Sequence, residues 1–350
     1  MDKLKDVRII IPALNPDEKL LGLLERLKEQ GFCPPLLVND GSNAECETYF
    51  KKAEEKYGCT VLKHERNKGK GCALKTAFSY LIKDEDCNYA VTIDADGQHE
   101  PEDVLRCVLS AKESKNDGKI IFGCRNFSEP HVPMKSRLGN RSMCALMRFT
   151  CGMALSDTQT GLRVFPKQYF SKLLEVEGER FEYETNMLIE IQKEKISYDE
   201  VKIKTVYIEN NRASHFRPVA DSLIIIRPFF KFLISSCGSS VIDLGVFSVL
   251  IWMMKNFPEQ QAVWVATVIA RILSACCNYM LNRHRVFEQG GKKSPVKYMI
   301  LCVLQMCMSA ALVSSIYKMV GVGAPLIKIL VDVILFFLSY QIQREWVFAE

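Results

Sequence analysis

At 350 residues and 48% hydrophobic, the chain is long enough for two domains, and its net charge of +5 is unevenly spread. Residues 1–228 hold 35 Lys and Arg against 35 Asp and Glu, whereas 229–350 hold 11 against 6, so the basic excess lies wholly in the second part. No nucleic-acid partner is expected, and the 14 Cys, scattered without any C-x-x-C or Cys/His cluster, indicate neither a disulfide frame nor a zinc site and read as small apolar fillers.

In chain order, "VRIIIPA" reads as a buried strand; its apolar run stops at Pro12, so no signal peptide is expected. The helix-period stretch "EKLLGLLERLKEQ" follows, then strands at "PLLVND" and "CTVLKHE", a helix at "GCALKTAFSYLIKD", and strands at "YAVTID" and "KIIFGCR". Alternating β and α units imply a Rossmann-like α/β domain with a mostly parallel sheet covered on both faces. Its ligands then belong on the loops after the strands, "PALNPDE", "NDGS", "DADGQH" and "GCRNF".

Before the helix at 71, "NKGKG" can be read as a phosphate-facing turn with Lys70 adding charge, or as a plain helix entry. The fourth strand runs out into acid. If the strand continued, residues 94, 96 and 98 would share one side, so Asp94, Asp96 and Gln98 form an oxygen-bearing set that suits Mg²⁺ or Mn²⁺. A second D-x-D at Asp84 and Asp86 sits in a polar turn after a helix and is set aside. Residues 130–152 hold Lys135, Arg137, Arg141 and Arg148 without an acid, interleaved with Met134, Leu138, Leu146 and Met147. Arg137 and Arg141 are spaced to share a helix face, and such a segment suits an anionic membrane surface or a lipid phosphate; the other reading is an ordinary solvated face.

Six ordered motifs, "IIPALNPDE", "VNDGS", "NKGKGCALKTAF", "DADGQHEP", "FGCRNF" and "SDTQTGLRVF", lie within residues 7–165. Together they resemble family 2 glycosyltransferases of the GT-A fold, in particular polyprenyl-phosphate hexosyltransferases such as dolichyl-phosphate mannose synthase. The resemblance implies that Asp96 and Gln98 hold the divalent metal, with Asp94 near both the ribose and the metal. It implies that Pro12, Ala13, Asn15, Asn39, Asp40 and Lys70 bind the nucleotide sugar, and that Arg125, with Arg137, Arg141 and Arg217, meets the acceptor phosphate. Asp157 and Gln159 would line the catalytic centre. "FEYET" is similar to a further lining segment, although Glu184 can equally be a surface carboxylate. Leu14 stands where the family often has Tyr, and Asn39 where the first Asp of D-D-G-S is usual; both departures fall in the nucleotide pocket.

The second domain, 229–350, holds apolar stretches at Phe232–Met254, Ala262–Leu281, Tyr298–Tyr317 and Ala324–Ile342. At about 1.5 Å per residue each can cross roughly 30 Å of hydrocarbon. Between the second and third, Arg283, Arg285, Lys292, Lys293 and Lys297 face only Glu288, which places that loop, both termini and the first domain on the cytoplasmic side of the cell membrane. "NYMLNRHRVF" and "SYQIQREWVF" end the second and fourth stretches alike and suggest a duplicated helical hairpin. The four-helix pattern resembles the GtrA family. Of the ionisable residues in the spans, Arg271 is expected to pair with Asp243 or Asp332, and Lys328 to snorkel; a homo-oligomer through this domain is a further expectation.

The expected function is inverting, metal-dependent transfer of a hexose from an NDP-sugar, uridine-linked, to a polyprenyl phosphate at the cytoplasmic membrane face, for cell-surface glycan synthesis. The alternative is a flippase subunit for lipid-linked sugars whose soluble domain captures substrate.

Overall fold

The structure, a computed structural model, describes residues 4–129, 132–204, 218–320 and 324–349. It divides into two compact units, Met1–Ile225 and Ile226–Glu350. Arg217, expected above to meet the acceptor phosphate, lies outside the described residues.

In the first unit the strands are β1 (Val7–Ala13), β2 (Leu36–Asn39), β3 (Thr60–Lys63), β4 (Tyr89–Thr92), β5 (Ile120–Arg125), β6 (Arg163–Pro166) and β7 (Tyr198–Ile203), in the order β3-β2-β1-β4-β6-β5-β7. Only β6 runs antiparallel to its neighbours. Alternate β1 residues serve two cores: Ile10 faces one, and Val7, Ile9 and Ile11 the other. That is why the strand reads as an unbroken apolar run. The helices α1 (Glu18–Glu29), α2 (Glu47–Tyr57) and α4 (Pro101–Ala111) supply the second core, and α3 (Lys70–Leu81), α5 (Met134–Cys151), α6 (Phe170–Glu175) and α7 (Glu182–Lys193) the first.

Two features were not legible in advance. Strand β4 ends at Thr92, so Asp94, Asp96 and Gln98 lie beyond the pleat and the alternating-face expectation does not apply to them. Gly97 adopts φ 76° and the Gln98 N–H donates to Asp96 Oδ1 at 3.0 Å, which marks a turn closed by its own aspartate. The antiparallel β6 brings its first residues to the edge where the parallel strands end, since Thr92 pairs with Arg163.

The second unit contains the apolar part of α8 (Pro218–Met253), then α9 (Glu259–Leu281), α10 (Ser294–Val320) and α11 (Ala324–Ile342). Four spans, Ser222–Met253, Glu259–Val286, Ser294–Val320 and Pro325–Val347, are long and apolar enough to cross a membrane. The helices outrun the apolar stretches because backbone hydrogen bonding, not hydropathy, decides where a helix stops.

The hairpin repeat is visible in the contacts. The segments Asn282–Val286 and Gln343–Val347 both close in a π-helical turn, with the Phe287 N–H donating to Asn282 O and the Phe348 N–H to Gln343 O. Equivalent residues meet: Asn282 Nδ2 donates to Gln343 Oε1 at 2.9 Å, and the rings of Phe287 and Phe348 stack at 5.0 Å. Non-equivalent ones exchange, so that Tyr279 lies on Phe348 and Tyr340 on Phe287. Across each hairpin, Ser239 bonds Asn278 as Gln305 bonds Ser339.

Candidate active site

The polar loops after β1, β2, β4 and β5 gather at one edge of the sheet, as Thr92 and Arg163 do. The first two loops are tied together. Asn15, at φ 49°, donates its N–H to Ser42 Oγ at 2.9 Å, and its Oδ1 accepts the Asn43 N–H at 2.8 Å. Ala13 O accepts the Asp40 N–H. Asn39 Oδ1 accepts the Ser42 N–H at 2.9 Å, which fixes the amide's orientation and leaves Nδ2 buried without a partner among the described residues. Pro12 opposite Val38 and Ala13 opposite Asn39 form the floor of this corner.

Asp40 is buried and fully engaged. His64 Nδ1 lies 2.7 Å from Oδ1, the Lys68 N–H donates to Oδ1 and the Gly69 N–H to Oδ2 at 2.7 Å; His64 Nε2 meets Thr76 Oγ1 at 2.9 Å. The Cys72 N–H goes to Glu179 O. The backbone donors at 68 and 69, and that of Cys72 just after "NKGKG", are thus committed inside the protein, which supports the helix-entry reading. Gly69 and Gly71 fit that role, because a Cβ at either would strike Arg180, Glu179 or Tyr183 at 2.9 Å or less.

What the entry positions is the Lys70 side chain. Its ammonium sits 2.7 Å from Asp94 Oδ1 and 2.8 Å from Glu184 Oε2. Burial alone would lower the Lys70 pKa, but the two carboxylates more than offset it and raise it. Glu184 therefore faces inward from α7, and Arg163, 2% exposed, stands 4.0 Å behind it, donating to Thr160 O and Glu184 O. Asp94 also faces His99 Nε2 at 3.6 Å. Burial pushes the Asp94 carboxyl up, yet Lys70 and then His99 hold it far below the usual carboxylate range. Asp96 goes the other way: burial first, then the Asp94 charge, raises it. Gly161 lets the Asp94 carboxylate lie against the backbone, since a Cβ there would come within 2.4 Å of Oδ2.

A second cluster adjoins β5. Asp157 is wholly buried and accepts from Arg125 Nε at 2.7 Å, Arg125 Nη2 at 3.1 Å, the Arg125 N–H at 3.2 Å and the Gln159 N–H at 3.0 Å. Gln159 Nε2 and Thr158 Oγ1 are buried without a partner among the described residues. Arg137 donates to Phe127 O and Glu129 O, holding the loop after β5, while Arg141 is exposed on α5 beside exposed Met134, Lys135 and Leu138. The decoy acid Asp84 is engaged with Arg8, away from this edge. His64 carries no local pattern that would have marked it, while His99 and Gly161 sit inside the motifs "DADGQHEP" and "SDTQTGLRVF" but carry no expected role of their own.

The donor set fits a divalent cation. Among the described residues no three of His, Cys, Asp or Glu gather as a metal site, so the protein offers two carboxylates and the Gln98 amide. That is the sparse oxygen set with which a Mg²⁺-like ion binds substrate phosphates. A positive charge beside Asp96 would also relieve the repulsion that raises its pKa.

Residues 8–174 match the glycosyl transferase family 2 profile, and 231–348 match the GtrA/DPMS transmembrane domain. A protein of Methanocaldococcus jannaschii without an assigned function is 31% identical over 209 residues, 58% of this chain and 83% of its own length. The chain belongs to glycosyltransferase family 2. Among further relatives of this glycosyltransferase is the UDP-N-acetylglucosamine–dolichyl-phosphate N-acetylglucosaminyltransferase of Methanococcus voltae, 27% identical over 252 residues, 68% of this chain and 98% of that one. The undecaprenyl-phosphate 4-deoxy-4-formamido-L-arabinose transferase of Pectobacterium atrosepticum is 28% identical over 182 residues, 50% of this chain and 53% of that one. A distant structural likeness is mannosyl-3-phosphoglycerate synthase from Rubrobacter xylanophilus, with TM-score 0.49 and 15% identity, covering 63% of this chain and 71% of that one. The GtrA/DPMS domain and four apolar helices make the glycosyltransferase a multi-pass membrane protein.

Proposed function

We propose that this glycosyltransferase moves a sugar from a uridine-linked nucleotide donor to a polyprenyl phosphate, with inversion, at the cytoplasmic face of the membrane. The observation that carries the reading is the Asp94 and Asp96 pair just past the end of β4, two half-buried carboxylates that act on each other, with the Lys70 ammonium 2.7 Å from Asp94. A divalent cation held by Asp94, Asp96 and Gln98 would supply the positive charge that a departing nucleoside diphosphate requires. The relatives support the acceptor class, since two are named for transfer to dolichyl or undecaprenyl phosphate, and they favour transfer over transport.

The protein's own residues then divide the work. Lys70 holds Asp94 in place and adds charge beside the donor phosphates. Asn39, Asn15, Pro12 and Ala13 shape the corner that receives the nucleoside, and Asp40 acts through the loop it fastens. Asp157 acts through Arg125, gripping its Nε and Nη2 and so fixing the place of a positive charge that suits a phosphate. A phosphate acceptor is already largely ionised near neutral pH, so its attacking oxygen needs placement more than a general base. The exposed basic and apolar stripe of α5, Met134, Lys135, Leu138 and Arg141, suits the lipid surface from which that acceptor comes.

The test is transfer of labelled sugar from UDP-sugars to undecaprenyl phosphate by purified full-length protein. Asp96→Ala should lower kcat/KM by at least about 10²-fold, about 2.7 kcal/mol of transition-state stabilisation. Chelation of divalent ions should abolish transfer, and Mg²⁺ or Mn²⁺ should restore it. Full activity of Asp96→Ala, or turnover in excess chelator, would sink the metal assignment.

A further inference from the structure

The two π turns of the hairpin repeat are built alike and charged differently. Asn282 matches Gln343 and Phe287 matches Phe348, so Arg283 matches Arg344, His284 matches Glu345 and Arg285 matches Trp346. Both turns close through the same backbone bond, from the Phe287 N–H to Asn282 O and from the Phe348 N–H to Gln343 O. The second turn forms with an acid and an aromatic at the two positions where the first carries His284 and Arg285. Turn geometry therefore does not call for those two side chains.

The matched arginines are engaged within the chain. Arg344 donates to Gln341 and Glu345 at 2.6 Å each, and Arg283 donates to Tyr279 Oη and Gly290 O at 3.2 Å each, which ties the connection between α9 and α10 back onto α9. The acid of that connection, Glu288, is taken by Lys231 of α8 at 3.1 Å. His284, Arg285, Lys292 and Lys293 are exposed and have no partner among the described residues. Their depth limits what can meet them. The spans Glu259–Val286 and Ser294–Val320 end and begin here, so these side chains lie at the level of lipid headgroups. Met280 and Leu281 of α9, and Val296 and Met299 of α10, are exposed next to them in sequence and give the span ends an apolar surface.

We propose that the connection between α9 and α10 is a binding site for anionic phospholipid, whose headgroup phosphate is met by Arg285, Lys292 and Lys293 and whose acyl chains lie along the apolar ends of the two helices. A guanidinium offers a phosphate two parallel donors, and the lysines add charge. A lipid answers both halves of this surface at once, the cations with its phosphate and the apolar span ends with its chains; a soluble anion answers only the first. The matched turn at 343–348, where Glu345 stands in place of His284, lacks the site. The inference does not use the transferase reading, and its readout is retained lipid.

Full-length protein is equilibrated in mixed micelles with equal parts of phosphatidylcholine and phosphatidylglycerol, stripped of excess lipid, and its retained lipid is counted by native mass spectrometry. Wild type should retain phosphatidylglycerol in preference, and raised salt during equilibration should weaken that preference. The triple substitution Arg285→Gln, Lys292→Gln and Lys293→Gln should lower it at least about tenfold; all three side chains are exposed, so the fold should stand, as circular dichroism checks. Lys255→Gln with Lys318→Gln removes charge at the opposite ends of the spans and should leave the preference intact. Wild type that retains both lipids equally overturns the proposal, as does a triple variant that keeps the preference or a Lys255 and Lys318 control that loses as much. Displacement of the lipid by inorganic phosphate also overturns it, since the site would then read a free anion.

Discussion

The two units handle charge away from bulk water in opposite ways. In the transferase unit, buried ions from distant elements are linked in alternating sign: Asp94, Lys70, Glu184 and Arg163 along one line, Arg125 and Asp157 along another. In the membrane unit, the bundle interior is sealed by neutral groups, Asn278, Asn282, Gln343, Ser339, Gln305 and Ser239. In the proposed transferase site, ions whose partners can be shared with a ligand suit the binding of a diphosphate and a cation. A helix pair that must find one register in hydrocarbon needs directional bonds without the desolvation cost of charge.

The strongest break of this contrast is to remove the charge at the closed end of the line. Arg163 is nearly inaccessible and donates to two carbonyls besides facing Glu184. Arg163→Met keeps the bulk and removes the donors, leaving Thr160 O and Glu184 O unpaired. Losing one partner of a buried pair costs about 3 kcal/mol, which in a unit of this size lowers Tm by about 6–12 °C. Scanning calorimetry or thermofluor on the full chain should show the drop; a shift under about 2 °C would mean that the line is structural ornament.

Strands β1, β2, β4 and β5 were legible because a strand covered on both faces must be apolar throughout, and each ends at a polar loop; the edge strand β3, half-exposed, was legible from its β-branched and apolar centre. The two strands that the periodicity missed break that rule. The four residues of β6 begin with Arg163, which is tolerated inside only because Glu184 and the Phe122 ring meet it. Strand β7, "YDEVKI", is an edge strand with mostly half-buried residues, so its pattern is polar. At the site, the D-x-D stood out by position, but it lies in a turn closed by Asp96 and not in a pleat. The partners of Asp40 and Lys70 were hidden, since His64 and Glu184 come from other elements and nothing local joins them. In the membrane unit the repeated "NYMLNRHRVF" and "SYQIQREWVF" announced the hairpin repeat, and the pairing of Arg271 with Asp243 was one of the two expected. Lys328 pairs with Asp332 instead of simply snorkelling.

A middle-sized effect tests the neutral half of the contrast. Asn282 is fully buried, and its Nδ2 donates to Asn278 Oδ1 at 2.8 Å and to Gln343 Oε1 at 2.9 Å. Hydrogen bonds between membrane helices are worth about 0.6 kcal/mol on average and up to about 1.7. Asn282→Leu and Gln343→Leu should each destabilise the membrane unit, and the double substitution should cost less than the two together by about 0.5–1.5 kcal/mol. Denaturation in mixed detergent micelles measures the cycle. Strict additivity would show that the two π turns do not recognise each other.

The smallest expected effect lies at the sheet edge opposite the site, in a part-buried charge pair outside the candidate site. Asp6 pairs with Lys112 and accepts from Asn88 Nδ2 at 3.2 Å, with side chains of the ion pair 29% and 20% exposed. Burial alone would raise the Asp6 pKa, but the Lys112 and Asn88 bonds more than offset it and lower it from its ordinary 3.8. A carboxyl whose folded pKa is depressed adds stability that is present above its unfolded value and is lost as pH falls through the folded one. Asp6→Asn should therefore cost under about 1 kcal/mol at neutral pH, less in high salt. The cost should fade as the medium is acidified below 3.8. Urea unfolding of wild type and Asp6→Asn across that range measures it, and a difference that persists at low pH would assign the effect to packing of the side chain instead of its charge.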